Sequence, residues 1–359
     1  MPNEKGGSPR LVPRPLGAHT VIPMNLEFHY YATTALALRA GYSADDAHRI
    51  GRSAEHVDQA LDAYLIEDSE AGTGEDARTE QTQNYVFWDE KVFRDIYLPF
   101  HFIPGDEAKA RKERVDGESN PWIVTPDSPI AREILIAALR SGNPYRIGIA
   151  LHAYADTWAH QNFTGRTERI NEVKPGSPLP AAGHLQALTS PDQATELWED
   201  PRLFKPEVDN RDRFLAAARM IYRYLRTALR RDFEDEVLVV GELAEMWERR
   251  DLDDRAREYD FTIRYDIEPW NPQFWLIEAG ISTNLDSPVR QRGYNKLKWL
   301  GGELARRSGQ AESLRRVWTD GRFDNSSLKA WSQAAREHRK EALGLIDARL
   351  GKSDVRIVG

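Results

Sequence analysis

The sequence predicts an all-α protein, a multi-helix bundle-like core with a C-terminal helical extension. Three observations carry that prediction. A capping residue stands ahead of a helical stretch at Ser43, Ser128-Pro129 and Asn143-Pro144. Apolar residues recur at three- and four-residue steps through Phe214, Ala217, Ile221, Leu225 and Leu229. No β segment longer than a few residues and no internal repeat stands out.

The elements follow in order. Residues 1–23 hold Pro2, Pro9, Pro13, Pro15 and Pro23 with Gly6, Gly7 and Gly17, and read as a flexible leader. They lack the apolar core of a secretory signal, so the chain reads as cytoplasmic, with export by another route as the alternative. A buried helix covers His29 to Leu38 and stops at Gly41. Ser43, with Asp45 and Asp46 in the first turn, starts a second helix that should run through Asp58 to about Tyr64. Glu67 to Asn84 is polar and reads as a loop. The helix after Pro144 should reach Gln161, and the Pro- and Gly-rich stretch from Lys174 to Pro191 reads as a long ordered loop. Helices resume beyond Asn210 and again from Ser326 to Leu350. This divides the chain into a metal-binding helical core over 24–204 and a C-terminal helical region over 205–359 packed on it.

Composition narrows the chemistry. With 359 residues, 40% of them apolar, the chain can bury a large core, and no stretch nears the ~18 uninterrupted apolar residues of a membrane helix. A net charge of −8 argues against a general polyanion binder but not against a small phosphoester drawn to bound cations. There are no cysteines, so any metal site must use nitrogen and oxygen ligands.

The informative stretch is Leu151-His152-Ala153-Tyr154-Ala155-Asp156-Thr157-Trp158-Ala159-His160. Residues four apart share a helix face, so His152, Asp156 and His160 form one stripe that can chelate, with a carboxylate able to bridge two ions. A plain polar stripe of hydrogen-bonded histidines would look the same. The other histidines tilt the balance: His29 lies in Phe28-His29-Tyr30-Tyr31, His101 in Leu98-Pro99-Phe100-His101-Phe102-Ile103-Pro104-Gly105, and His184 follows Gly183. Each alone is more often a packed core histidine; together they point to a shared centre. His48 and His338 stand among charged residues and read as solvated, His19 falls in the leader, and His56 lies about 200° around the helix from Asp58 and faces elsewhere.

In order and context these motifs resemble the superfamily of zinc-dependent phospholipases C and fungal single-strand-specific nucleases. They are also similar to uncharacterised bacterial proteins sharing the His-Tyr-Tyr opening and the Phe-His-Phe-x-Pro-Gly segment. The resemblance covers roughly residues 24 to 200. It implies that Asp58, His101, His152 and Asp156 hold a first zinc. Asp156 would bridge to a second metal that His29 also binds, and His160 and His184 would hold another. Three departures stand out. His160 comes four residues after Asp156 where the family has six. The family's amino-terminal ligand has no counterpart ahead of His29, where Glu27 is the nearest substitute. Leu188 stands where a carboxylate is expected, leaving Asp192 as the replacement. These departures favour two zinc ions over a full set of three. The implied activity is hydrolysis of a phosphoester, in a small molecule, a phospholipid or a nucleic-acid end. A metal-bridged hydroxide would attack, Asp58 would orient or deprotonate it, and Asp156 would hold the metals. The alternatives are a helical protein in which metal only staples the fold, or a partner-binding, toxin-like module.

Overall fold

The computed structural model describes residues 26–67, 70, 72, 74–281 and 314–351. The expected leader lies outside these residues. The chain enters through a widened, π-helical turn, Glu27–Ala32, that continues into α1 (Thr33–Ala40). Its loosened carbonyls take side-chain donors: Thr33 Oγ1–H donates to Phe28 O (3.0 Å) and Thr34 Oγ1–H to Tyr30 O (2.6 Å). Gly41, at φ 102°, ends α1 in the left-handed conformation glycine adopts most cheaply.

Ser43 caps α2 (Ala44–Gln59), its Oγ accepting Asp46 N–H. The helix ends at Gln59, short of Tyr64. The chain instead enters a short strand, β1 (Ala63–Ile66), and the Ala60 N–H closes on His56 O. A helical run follows in three pieces: α3 (Glu90–Val92), a second π-helical turn (Phe93–Tyr97) and α4 (Leu98–Phe100), ending at His101. After α5 (Glu107–Glu113) come the two proline-started helices, α6 (Pro129–Ser141) and α7 (Pro144–Ala159), capped by Ser128 and Asn143 as their sequences predict. A three-residue antiparallel pair, β2 (Leu197–Glu199) and β3 (Glu207–Asp209), precedes α8 (Asn210–Ala228), α9 (Glu236–Glu248), α10 (Asp254–Tyr265) and α11 (Phe274–Glu278). The strand β4 (Leu314–Val317) pairs in parallel with β1, and α12 (Ser327–Leu350) closes the described chain. The fold is thus all-α with short accessory strands.

α7 is the axis. Every residue from Ile147 to Ala159 is buried, and α2, α6, α8 and α12 pack around it. The α2–α7 crossing is close because Gly148 has no side chain: a Cβ there would lie 2.2 Å from Ile50 O and 2.7 Å from Ser53 Cβ. That contact sets the face of α2 bearing Asp58 against the face of α7 bearing His152 and Asp156. α12 covers the other side, with Trp331 buried and its Nε1–H donating to Ser53 O (3.1 Å). Among the described residues no helix is long and apolar enough to cross a membrane.

Candidate metal centre

Five segments bring the eight expected ligands together. The first π-turn supplies His29, the last turn of α2 supplies Asp58, and the end of α4 supplies His101. α7 supplies His152 and Asp156, with His160 at its C-cap, and the 184–192 loop supplies His184 and Asp192. All eight are buried except His184, which is part-exposed.

Two neighbouring groups form. In the first, His101 Nδ1, His152 Nε2 and Asp156 Oδ2 make a near-equilateral triangle with edges of 3.2, 3.3 and 3.3 Å. Asp58 Oδ1 lies 3.7 Å from both nitrogens and stands as the fourth corner. Tetrahedral zinc with bonds of about 2.0 Å has ligand atoms about 3.3 Å apart, so the three atoms of the triangle have the spacing of three corners of such a shell. The other oxygen of Asp156, Oδ1, faces His29 Nε2 at 3.2 Å. One carboxylate therefore reaches both ways. In the second group, Asp192 Oδ1 is 3.3 Å from His160 Nε2 and Asp192 Oδ2 is 3.6 Å from His184 Nε2. The groups His101–His152–Asp156, His29–Asp58–His152 and His160–His184–Asp192 could each hold a metal ion.

His160 joins the two groups. α7 ends at Ala159, two residues before the predicted Gln161, and His160 leaves the helix at φ −92°, ψ 13°. Its Nδ1 stays near the first group, 3.7 Å from Asp156 Oδ2, while Nε2 turns to Asp192. Leaving the helix is how a histidine only four residues after Asp156 reaches a separate group.

Backbone carbonyls fix the ring tautomers. A carbonyl only accepts, so the nitrogen facing it carries a proton, and in the neutral ring the other presents a lone pair. His101 Nε2–H donates to Thr82 O (2.8 Å), His160 Nδ1–H to His101 O (2.8 Å) and His184 Nδ1–H to Leu188 O (3.0 Å). In each case the remaining nitrogen is the one facing the carboxylates, the second-shell pattern of metal-binding histidines. Leu188 holds its carbonyl in place from a left-handed backbone at φ 58°, ψ −122°. Its side chain carries no donor, and the carboxylate that faces His160 and His184 is that of Asp192.

The ionisable groups compete for charge in a dry interior. Burial pushes Asp58 up to about 8, against the pull of His101. Burial pushes His152 down to about 3, with His29 adding to the effect. For Asp156 burial opposes ionisation, yet His160 and His152 hold the carboxyl well below its usual range. His160 is raised to about 9 because Asp156 and Asp192 outweigh its own burial. Asp58 Oδ2, His29 Nδ1 and His152 Nδ1 are buried with no hydrogen-bond partner. Such orphans are rare in a finished core, and three of them at one place suit a centre that takes a cation.

Several expectations need correction. Glu27 does not join the centre: its carboxylate accepts Trp247 Nε1–H (2.7 Å) and Arg257 Nε–H (2.9 Å) in a buried ion pair. His338 is not solvated but 1% exposed, its Nε2–H donating to Pro99 O (3.0 Å). His56 does face away from Asp58, packing on Trp331 and Trp275. The sequence reading missed Thr82 and Gln83, which border the centre from the supposed loop. The available signal was Thr79-Glu80-Gln81-Thr82-Gln83-Asn84, a polar run with none of the glycine or proline a surface loop normally carries.

A family model described as a family of unknown function (DUF6765) matches residues 24–346. No curated protein and no solved structure matches the chain.

Proposed function

The chain belongs to this DUF6765 family, and on that premise we propose that it is a zinc-dependent hydrolase of phosphoester bonds. The observation that carries the reading is the paired arrangement. Three His/Asp atoms 3.2–3.3 Å apart, with Asp58 Oδ1 3.7 Å from two of them, stand beside a separate three-residue set, and the 3.7 Å contact between Asp156 and His160 links the two. Asp58, His101, His152 and Asp156 would hold one zinc, and His160, His184 and Asp192 a second, while His29 meets the free oxygen of Asp156. The order of these residues along the chain supports the likeness to zinc-dependent phospholipases C and single-strand-specific nucleases. Bound divalent ions would supply water of lowered pKa and a clamp on the phosphoryl oxygens.

The residues divide that work. Four protein ligands saturate a tetrahedral ion, so the first set suits a held cation; three leave one position open, the mark of catalytic sites. The partial exposure of His184 supports a solvent-side opening at that set. Phe102 stacks on His160 at 4.5 Å and shields the imidazole from water on one face.

Metal analysis of the purified protein, with hydrolysis of bis-p-nitrophenyl phosphate with and without chelator, tests the reading. Zinc near two equivalents and chelator-sensitive turnover are expected. Asp156→Asn should lose metal and turnover together, and full metal retention in that variant would remove the bridging role. The closed first set favours one second reading, a metal that only staples the fold. Bound metal with no turnover on any phosphodiester would establish it.

A further inference from the structure

We propose that Gln83 is a positioning residue of the metal centre, holding the Asp58 carboxylate in the rotation that keeps Oδ1 at the fourth corner of the first set. The inference rests on the metal reading above. Gln83 is 3% exposed, and its Nε2–H donates to Asp58 Oδ1 at 3.3 Å. Its amide cannot turn over. The carboxamide oxygen accepts Asn84 N–H at 2.8 Å, and a peptide N–H can only donate, so the NH2 end must face Asp58.

The segment around it is equally fixed. Thr82 N–H and Gln83 N–H both donate to Ala60 O (3.1 and 3.2 Å), Thr82 Oγ1–H to Val57 O (2.7 Å), and Gln81 Nε2–H to Gln83 O (3.1 Å). These bonds strap residues 81–83 across the end of α2, the turn that carries Asp58. Thr82 O meanwhile accepts His101 Nε2–H. Two corners of the first set, Asp58 and His101, thus take their orientation from adjacent residues of one strap. A carboxylate on a short side chain can rotate until both oxygens face a cation or neither does. With Gln83 on Oδ1 the carboxylate is held in one rotation, and Oδ1 meets a cation without reorganisation.

The test is titration of the full chain with Co2+, read by its visible absorption. Gln83→Met keeps length and bulk without the donor. Loss of a second-shell partner weakens metal binding by roughly 10–100-fold. The expected result is a loss of that size in the tighter Co2+ step, a changed absorption band, and a melting temperature in chelator equal to wild type. Wild-type affinity and spectrum in Gln83→Met would overturn the proposal. So would a fall in chelated melting temperature with the spectrum unchanged, because Gln83 would then be ordinary core. If Gln83→Met does not fold, Gln83→Ala serves as the second variant under the same criteria. A wild-type chain that takes up no Co2+ overturns the metal reading itself, and this proposal with it.

Discussion

A buried imidazole takes its charge from what its nitrogens meet, and His338 is the simplest case because it lies outside the metal centre. Its Nε2–H donates to Pro99 O, its ring stacks on Phe100 at 5.4 Å, and burial pushes it down to about 4. The unfolded value is near 6.5, so between these two pH values the unfolded chain binds more protons and stability rises with pH. Its contribution is whole above pH 6.5 and is lost as the pH falls towards 4, by up to ~3 kcal/mol. Gln can still donate to Pro99 O but does not titrate, so His338→Gln should flatten the decline in urea stability between pH 6.5 and 4.5 relative to wild type. Parallel curves would show that the imidazole titrates in the fold as it does in the unfolded chain. The sequence context misled because Arg336, Glu337 and Arg339 are neighbours along the chain, not on the helix face. The neighbours that matter on that face are Ala334, Ala335 and Ala342 at three- and four-residue spacing and Trp331 at seven, all buried. His29, His101 and His184 were legible for the opposite reason: their chain neighbours are apolar or glycine, so a polar ring there demanded an explanation.

At the scale of elements, the centre depends on how closely α2 and α7 approach. Glycine inside a helix costs about 1 kcal/mol against alanine, so Gly148→Ala should stabilise α7 if nothing stood in the way. The added Cβ would meet a carbonyl oxygen at 2.2 Å, which a backbone can relieve only by moving one helix off the other. Overpacking of that kind costs roughly 1–3 kcal/mol, and the clash wins over the propensity gain. Gly148→Ala should therefore lower the urea midpoint and, by drawing Asp58 away from His152, weaken metal uptake. An unchanged or raised midpoint would mean that the crossing is looser than described. Helix starts were readable because caps are local chemistry: Ser43, Ser128, Asn143 and Ser326 each accept a backbone N–H within the next three residues. The end of α2 was not readable, since no glycine or proline marks it. The strap at 81–83 was also hidden, because its hydrogen bonds run to Val57, Ala60 and Leu61, twenty or more residues away, and leave no periodicity in the sequence.

For the whole molecule, the centre ties together segments spread from His29 to Asp192. Carboxylates this deep ordinarily cost several kcal/mol each unless an opposite charge meets them. Among the described residues Asp58 and Asp156 form ion pairs only with imidazoles, which must share protons to serve. A divalent cation meets the same carboxylates without protons and binds only the folded chain, so its binding free energy adds to folding. Free metal at 1,000 times the dissociation constant contributes about 4 kcal/mol. In a protein of this length that corresponds to a shift on the order of 5–10 °C in melting temperature. Chelation should lower the melting temperature by that amount, and added Zn2+ should restore it, while Mg2+, which favours oxygen-only shells, should not. Asp192→Asn removes a ligand of the outer group alone, so it should retain most of the Zn2+-dependent shift, whereas Asp156→Asn should abolish it. Equal losses in the two variants would show that the groups form a single site, and a melting temperature indifferent to both chelator and Zn2+ would leave the eight residues as a hydrogen-bonded polar core.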